Sequence, residues 1–240
     1  MSKLHSFTMI MFILIGAIRT WPACASEVRI ALGPYGRDMV ITQELRSIKE
    51  IREEGITLQR LDYSCGTAAL STLFTSYLRQ PYTEGEIIEF ILRTGNIDKI
   101  LVRKGFSLLD LKRFAEAHGI KATGYALDFP SLMEFQCPVL VPLYHTATKM
   151  RHFVIVRGIV GDRIFLADPA VGRRIMLRAD FEKEWEPKVG MVFEHPDFLT
   201  TGQDTPLGIQ AQDATFLTGA SLRAVVLQSV DEYIHRANEF

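Results

Sequence analysis

The period of the apolar residues changes near residue 120, and this change limits the available folds more than any other feature of the chain. Before it the spacing is mostly helical. Residues 43–54 are charged and helix-compatible up to a stop at Gly55. Tyr63 to Tyr77 carries Ala, Leu and Thr at helical spacing, with Ser64 or Asp62 available as N-cap. Thr83 to Leu92 sets Glu84, Glu86 and Glu89 among apolar residues, and Ser107 caps an amphipathic stretch, Leu108 to Ala117, closed by His118-Gly119. Beyond it the runs are short and strand-like: Lys121 to Leu127, Pro138 to Tyr144, Phe153 to Val160, Arg163 to Ala167, Gly172 to Leu177 and Gly190 to Phe193. Gly161-Asp162 between two of these runs signals a hairpin. Apart from a short strand expected at Val28 to Leu32, a helical half therefore precedes an antiparallel sheet, which is an α+β architecture.

The first 25 residues do not belong to this pattern. Lys3 precedes an apolar run from Phe7 to Ile18, and Ala23-Cys24-Ala25 offers small residues at the first and third places of a cleavage site. That layout is a secretory signal peptide, with cleavage expected after Ala25 and export to the periplasm. The apolar run is shorter than the roughly 20 residues of a spanning helix. The alternative is an uncleaved N-terminal segment that associates with the inner membrane. Residues 26–195 then form one domain with an N-terminal extension. Residues 196–240 form a tail, with loop over 200–213 and a helix expected from Ala220 to Ala237. With 27 Lys and Arg against 28 Asp and Glu, the chain has no electrostatic reason to bind nucleic acid. No cofactor or metal is expected.

Removal of the signal would leave Cys65 and Cys137 in an oxidising compartment, where two cysteines usually pair. Their surroundings argue otherwise. Cys137, next to Pro138 at a strand start, reads as a small buried hydrophobe. Cys65 starts a helix, where the positive end of the macrodipole favours the thiolate, the nucleophilic form. Gly66 directly after it would let a substrate backbone approach. A structural cysteine at the same place is the equal alternative. Gln59, six residues earlier, could supply a side-chain amide to an oxyanion, together with the backbone N–H of Cys65.

A thiolate nucleophile needs a base. His5 lies in the signal, His118 ends a surface helix, and His195 and His235 fall near loops or the tail. His145 sits in a connection. His152 opens the apolar strand His-Phe-Val-Ile-Val, which would hold an imidazole in place. Asp168 ends the next strand, where a carboxylate could accept the imidazole N–H. Strand geometry constrains this pair. A two-residue turn at Gly161-Asp162 sets Asp168 opposite Ile155 and sends His152 to the other face. A three-residue loop or a bulge would instead make His152 the diagonal neighbour of Asp168.

Gln59, Cys65-Gly66, His152 and Asp168, with the last two sixteen residues apart, follow the pattern of the C39 (bacteriocin-processing, double-glycine) peptidase family. The sequence resembles that family over about residues 45–195. The resemblance implies a papain-like α+β fold and a cysteine peptidase with Cys65 as nucleophile, His152 and Asp168 as its partners and Gln59 at the oxyanion. Many members carry Asp immediately before the Cys, where this chain has Ser64. Family members are commonly fused to a transporter and an ATPase, and no Walker A pattern is present here. The chain is thus similar to stand-alone secreted C39-like proteins, one group of which accompanies functional-amyloid secretion systems. A polypeptide from such a system is the implied partner, and retention of double-glycine specificity stays open. The competing function is a non-catalytic peptide-binding or assembly factor with the same fold.

Overall fold

A computed structural model describes residues 26–31, 40–145, 150–194, 205–210 and 213. The expected signal segment and the helix over Ala220 to Ala237 lie outside the described residues. The chain divides into two units, Met1–Arg46 and Ser47–Phe240. In the first, β1 (Ser26–Ala31) and β2 (Val40–Leu45) pair antiparallel, Ser26 opposite Leu45. The charged stretch expected to be helical from residue 43 is therefore divided. Val40-Ile41-Thr42 is β-branched and starts a strand, and the helix α1 (Ile48–Glu53) begins only after Ser47 closes a capping box with Glu50.

The second unit carries the helices α2 (Cys65–Ser76), α3 (Glu84–Thr94), α4 (Ile97–Arg103) and α5 (Leu108–Ala117). Thr83 with Glu86 and Ser107 with Asp110 form capping boxes at α3 and α5. The strand half holds β3 (Lys121–Ala126), β4 (Val139–His145), β5 (Met150–Val160), β6 (Arg163–Asp168), β7 (Gly172–Leu177) and β8 (Val189–Glu194). Two further helices, α6 (Phe129–Glu134) and α7 (Arg178–Glu184), interrupt it. The six strands form one antiparallel sheet in the order β3-β8-β4-β5-β6-β7.

Alternation along the strands sorts the core into two layers. Leu140, Ile155 and Ala167 pack with Leu70, Leu73, Phe74 and Phe114 on one face, and Val139, Val154 and Leu166 pack with Phe129, Phe181 and Trp185 on the other. A sheet covered on both faces needs nearly continuous apolar strands. That is why Pro138 to Tyr144 and Phe153 to Val160 read as unbroken runs. α2 is buried along almost its whole length. It is accordingly built of small, apolar and hydroxyl residues rather than as an amphipathic stripe.

β5 and β6 join through the two-residue turn Gly161-Asp162, with Val160 opposite Arg163 and Gly161 at φ +59°. Gly158 faces Phe165, but Val156 faces Leu166, so Arg157 is an extra residue in β5. This β-bulge shifts the register by one. Ile155 then faces Ala167, and continuing the ladder sets Asp168 opposite Val154. His152 comes to the same face as Asp168.

Candidate active site

Cys65, His152 and Asp168 meet at one corner of the sheet. The His152 Nε2–H donates to Asp168 Oδ1 at 2.6 Å. With Nε2 taken by the acid, Nδ1 is the nitrogen left for the Cys65 thiol, a hydrogen-bond partner of the ring. β6 ends at Asp168, so Phe153 lies beyond its ladder, and its free N–H donates to Cys65 Sγ at 3.5 Å.

The Asp168 carboxylate is 3% exposed. Its Oδ1 also accepts the Ala170 N–H at 2.9 Å, and Arg174 Nη1 donates to Oδ2 at 3.3 Å. Burial would raise its pKa, but the hydrogen bond and charge of His152, with Ala170 and Arg174 behind them, hold it below the usual carboxylate range. Burial would likewise push His152 down. The hydrogen bonds and charges of Asp168 and Cys65 outweigh that and raise its pKa from 6.5 to about 9. The imidazole therefore keeps its second proton at neutral pH.

Gln59 is tethered to the same corner through its backbone: its N–H donates to the Pro169 carbonyl at 2.8 Å. Its Nε2 donates one hydrogen to the Leu61 carbonyl at 3.0 Å and has a second to offer. The segment carrying it is tied to α2 by buried hydroxyls. Thr57 N–H donates to Thr72 Oγ1 at 2.9 Å, and Ser76 Oγ donates to the Gly55 carbonyl at 2.7 Å. The next N–H, of Arg60, donates to the buried Glu84 carboxylate at 3.3 Å.

Ser64 stands at the N-cap of α2 without capping it. Its hydroxyl turns back, accepting the Leu61 N–H at 3.1 Å and donating to the Leu61 carbonyl at 2.9 Å. The first-turn N–H groups, that of Cys65 included, are left without a side-chain cap. Gly66 is held small by its neighbours inside the fold. A Cβ there would lie 3.0 Å from the Phe153 ring and 3.2 Å from Leu111, so its smallness serves close packing of α2 on β5 and α5. At the other side of the site, Gly172 adopts φ +85°, and a Cβ would strike the Arg52 carbonyl.

The remaining candidates stay apart from this corner. His145 ends β4 opposite Met150. His118 stacks on Phe114 at 4.2 Å between centroids, its Nδ1 hydrogen-bonded to the Phe114 carbonyl. Cys137 is a free thiol packed against both core layers, and burial pushes it up to about 11. Sequence reasoning missed Arg174 and the Phe153 N–H. The first follows Arg173 without a motif, and the second is a backbone group exposed only by the unequal lengths of β5 and β6.

A thiol at the head of a central helix, set against an imidazole and a carboxylate on an antiparallel sheet, is the arrangement of the papain-like cysteine peptidases. This protein is a cysteine peptidase, a hydrolase. Within that class the chain belongs to the peptidase C39 family, whose sequence profile matches residues 53–197. It is 36% identical over 177 residues to the "Probable functional amyloid protease FapD" of Pseudomonas fluorescens, covering 72% of this chain and 73% of that one. The protein of the same description from Pseudomonas aeruginosa is 32% identical over 155 residues, covering 64% and 66%. Among solved structures, the peptidase domain of Streptococcus ComA, a bi-functional ABC transporter involved in quorum sensing, superposes with a TM-score of 0.50 at 18% identity. It covers 58% of this chain and 97% of that domain, a likeness of fold.

Proposed function

We propose that this peptidase is exported and cleaves a polypeptide reaching the same periplasmic compartment, through a thiolate and acyl-enzyme mechanism. The observation that carries the reading is the placement of His152 between a buried carboxylate and the Cys65 thiol. Cys65 Sγ attacks the scissile carbonyl, forming the C–S bond and an oxyanion. The free hydrogen on Gln59 Nε2 and the Cys65 N–H stabilise that charge. Collapse breaks the C–N bond, and the Nδ1 proton of His152 passes to the leaving amine. Water then attacks the thioester carbonyl while His152 Nδ1 takes its proton, and collapse breaks the C–S bond, releasing the acid product and restoring the Cys65 thiolate beside the imidazolium. Asp168 holds Nε2–H throughout and so keeps Nδ1 on the sulfur.

The relatives' description as functional amyloid proteases supports a polypeptide of an amyloid-secretion system as substrate. The test compares protein N-termini in periplasmic extracts of cells carrying the wild type or Cys65→Ser. New termini that depend on Cys65 and fall in exported polypeptides are expected. Identical termini in both extracts would contradict the proposal and favour a non-catalytic peptide-binding factor.

A further inference from the structure

The bulge that brings His152 to the face of Asp168 is made by a residue the mechanism does not use. Arg157, the extra residue of β5, has a side chain only 1% exposed. Its guanidinium is held from one side by the segment 205–210 and Asp213. Nε–H donates to the Leu207 carbonyl at 2.8 Å and Nη2 to the Gly208 carbonyl at 2.6 Å. Nη1 and Nη2 donate to the two oxygens of Asp213 at 2.8 and 3.0 Å, a bidentate pair. Asp213 is itself fixed by the Gln210 N–H at 2.8 Å and by Arg173 of β7, whose Nη1 reaches both carboxylate oxygens at 3.3 Å. Arg173 Nη2 donates to the Pro206 carbonyl at 3.0 Å, and Leu207 is buried in the helical core layer. Residues 205–210 and Asp213, unlike Arg157 and Arg173, lie beyond the residues matched by the family profile.

We propose that residues 205–210 and Asp213 are a positioning element for the active site. They hold Arg157 in the bulge and thereby keep β5 and β6 in the register that lets His152 meet Asp168. The inference rests on the assignment of those two residues, with Cys65, as the catalytic group. A plain ladder running from the two-residue turn would set Asp168 opposite Ile155 and turn His152 to the other face. A one-residue slip would also withdraw a buried guanidinium from four acceptors, and a buried cation does not tolerate the loss. The clamp therefore resists the one displacement that would dismantle the pair.

The test alkylates Cys65 with iodoacetamide as a function of pH and follows the Cys65 peptide by mass spectrometry, which needs no substrate. The decisive variant is Arg157→Met/Arg173→Met/Asp213→Leu, which removes all three charges together and leaves none buried alone. A cooperative urea transition identifies it as folded. The half-point of alkylation is expected to rise by about one pH unit or more toward that of an ordinary thiol, a loss of about tenfold in rate at pH values below it. A folded triple variant with the wild-type profile overturns the proposal. If the triple variant does not fold, Arg157→Lys decides. It keeps the buried cation but cannot reach Leu207, Gly208 and Asp213 together, so a raised half-point supports the positioning role and an unchanged one overturns it. A wild type lacking any His152-dependent shift would remove the catalytic assignment instead, and the positioning role with it.

Discussion

His152 and Arg157 stand five residues apart on β5, each beside a buried carboxylate, and the two pairs are built differently. Around Arg157 and Asp213 the charges are fixed. A guanidinium does not lose its proton, and the two side chains are 1% and 2% exposed. Around His152 and Asp168 one charge can come and go. The imidazole is 23% exposed, and its second nitrogen faces a thiol. Burial opposes ionisation of both carboxylates, and in both sites adjacent cations outweigh it. Buried charge alone therefore does not mark an active site. A transferable proton with an opening to solvent does.

The largest expected effects separate the two sites by what they break. Cys65→Ala should lower peptide hydrolysis by about 10⁴-fold or more while leaving the urea midpoint nearly unchanged. Asp213→Ala leaves two guanidinium groups without their carboxylate and should cost about 3–5 kcal/mol of unfolding free energy. Equal stability losses in the two variants would erase the distinction. Gln59→Ala comes next, with an expected fall of roughly 100–1000-fold in kcat and little change in KM, since an oxyanion donor acts in the transition state.

Titration sharpens the contrast further. The raised pKa of His152 means that its imidazolium contributes fully to stability below 6.5, and that this contribution is lost as pH rises through about 9. Asp168 and Asp213, both held low, contribute above the unfolded carboxylate range and lose that contribution as pH falls through their depressed values. Thermal melts across pH should therefore show a decline between pH 6.5 and about 9 that His152→Ala removes, and an acid decline that it leaves in place. The smallest effect is expected from Arg174→Gln. Arg174 reaches Asp168 from a side chain 35% exposed, and partly solvated pairs contribute about 0–1 kcal/mol, so the hydrolysis rate should change less than about fivefold.

Much of this was legible in the sequence, for identifiable reasons. Ser107 and Thr83 announce their helices because a capping residue and a Glu or Asp three places on satisfy the same orphan groups. The runs at Pro138 and Phe153 read as strands because both faces of the sheet are covered. α4, α6 and α7 were missed because six or seven residues are too few for a helical period to emerge. Asn96 and Asp128, which cap two of them, were the signals available. At the site, residue type and position made Gln59, Cys65, His152 and Asp168 separate candidates, the resemblance to the C39 family joined them into one group, and strand parity called for a longer loop or a bulge. The location of the bulge at Arg157 could not be read, since it depends on acceptors fifty or more residues later in the chain. Gly66 was legible as a requirement for smallness, but the reason for it lies in Phe153 and Leu111.

The central claim is that Cys65 and His152 form an ion pair, and the pH dependence of Cys65 alkylation in wild type and His152→Ala tests it most directly. A wild-type half-point well below the about 8.5 of an ordinary thiol, returning to that value in His152→Ala, is the predicted result. An ordinary titration in both proteins would contradict it.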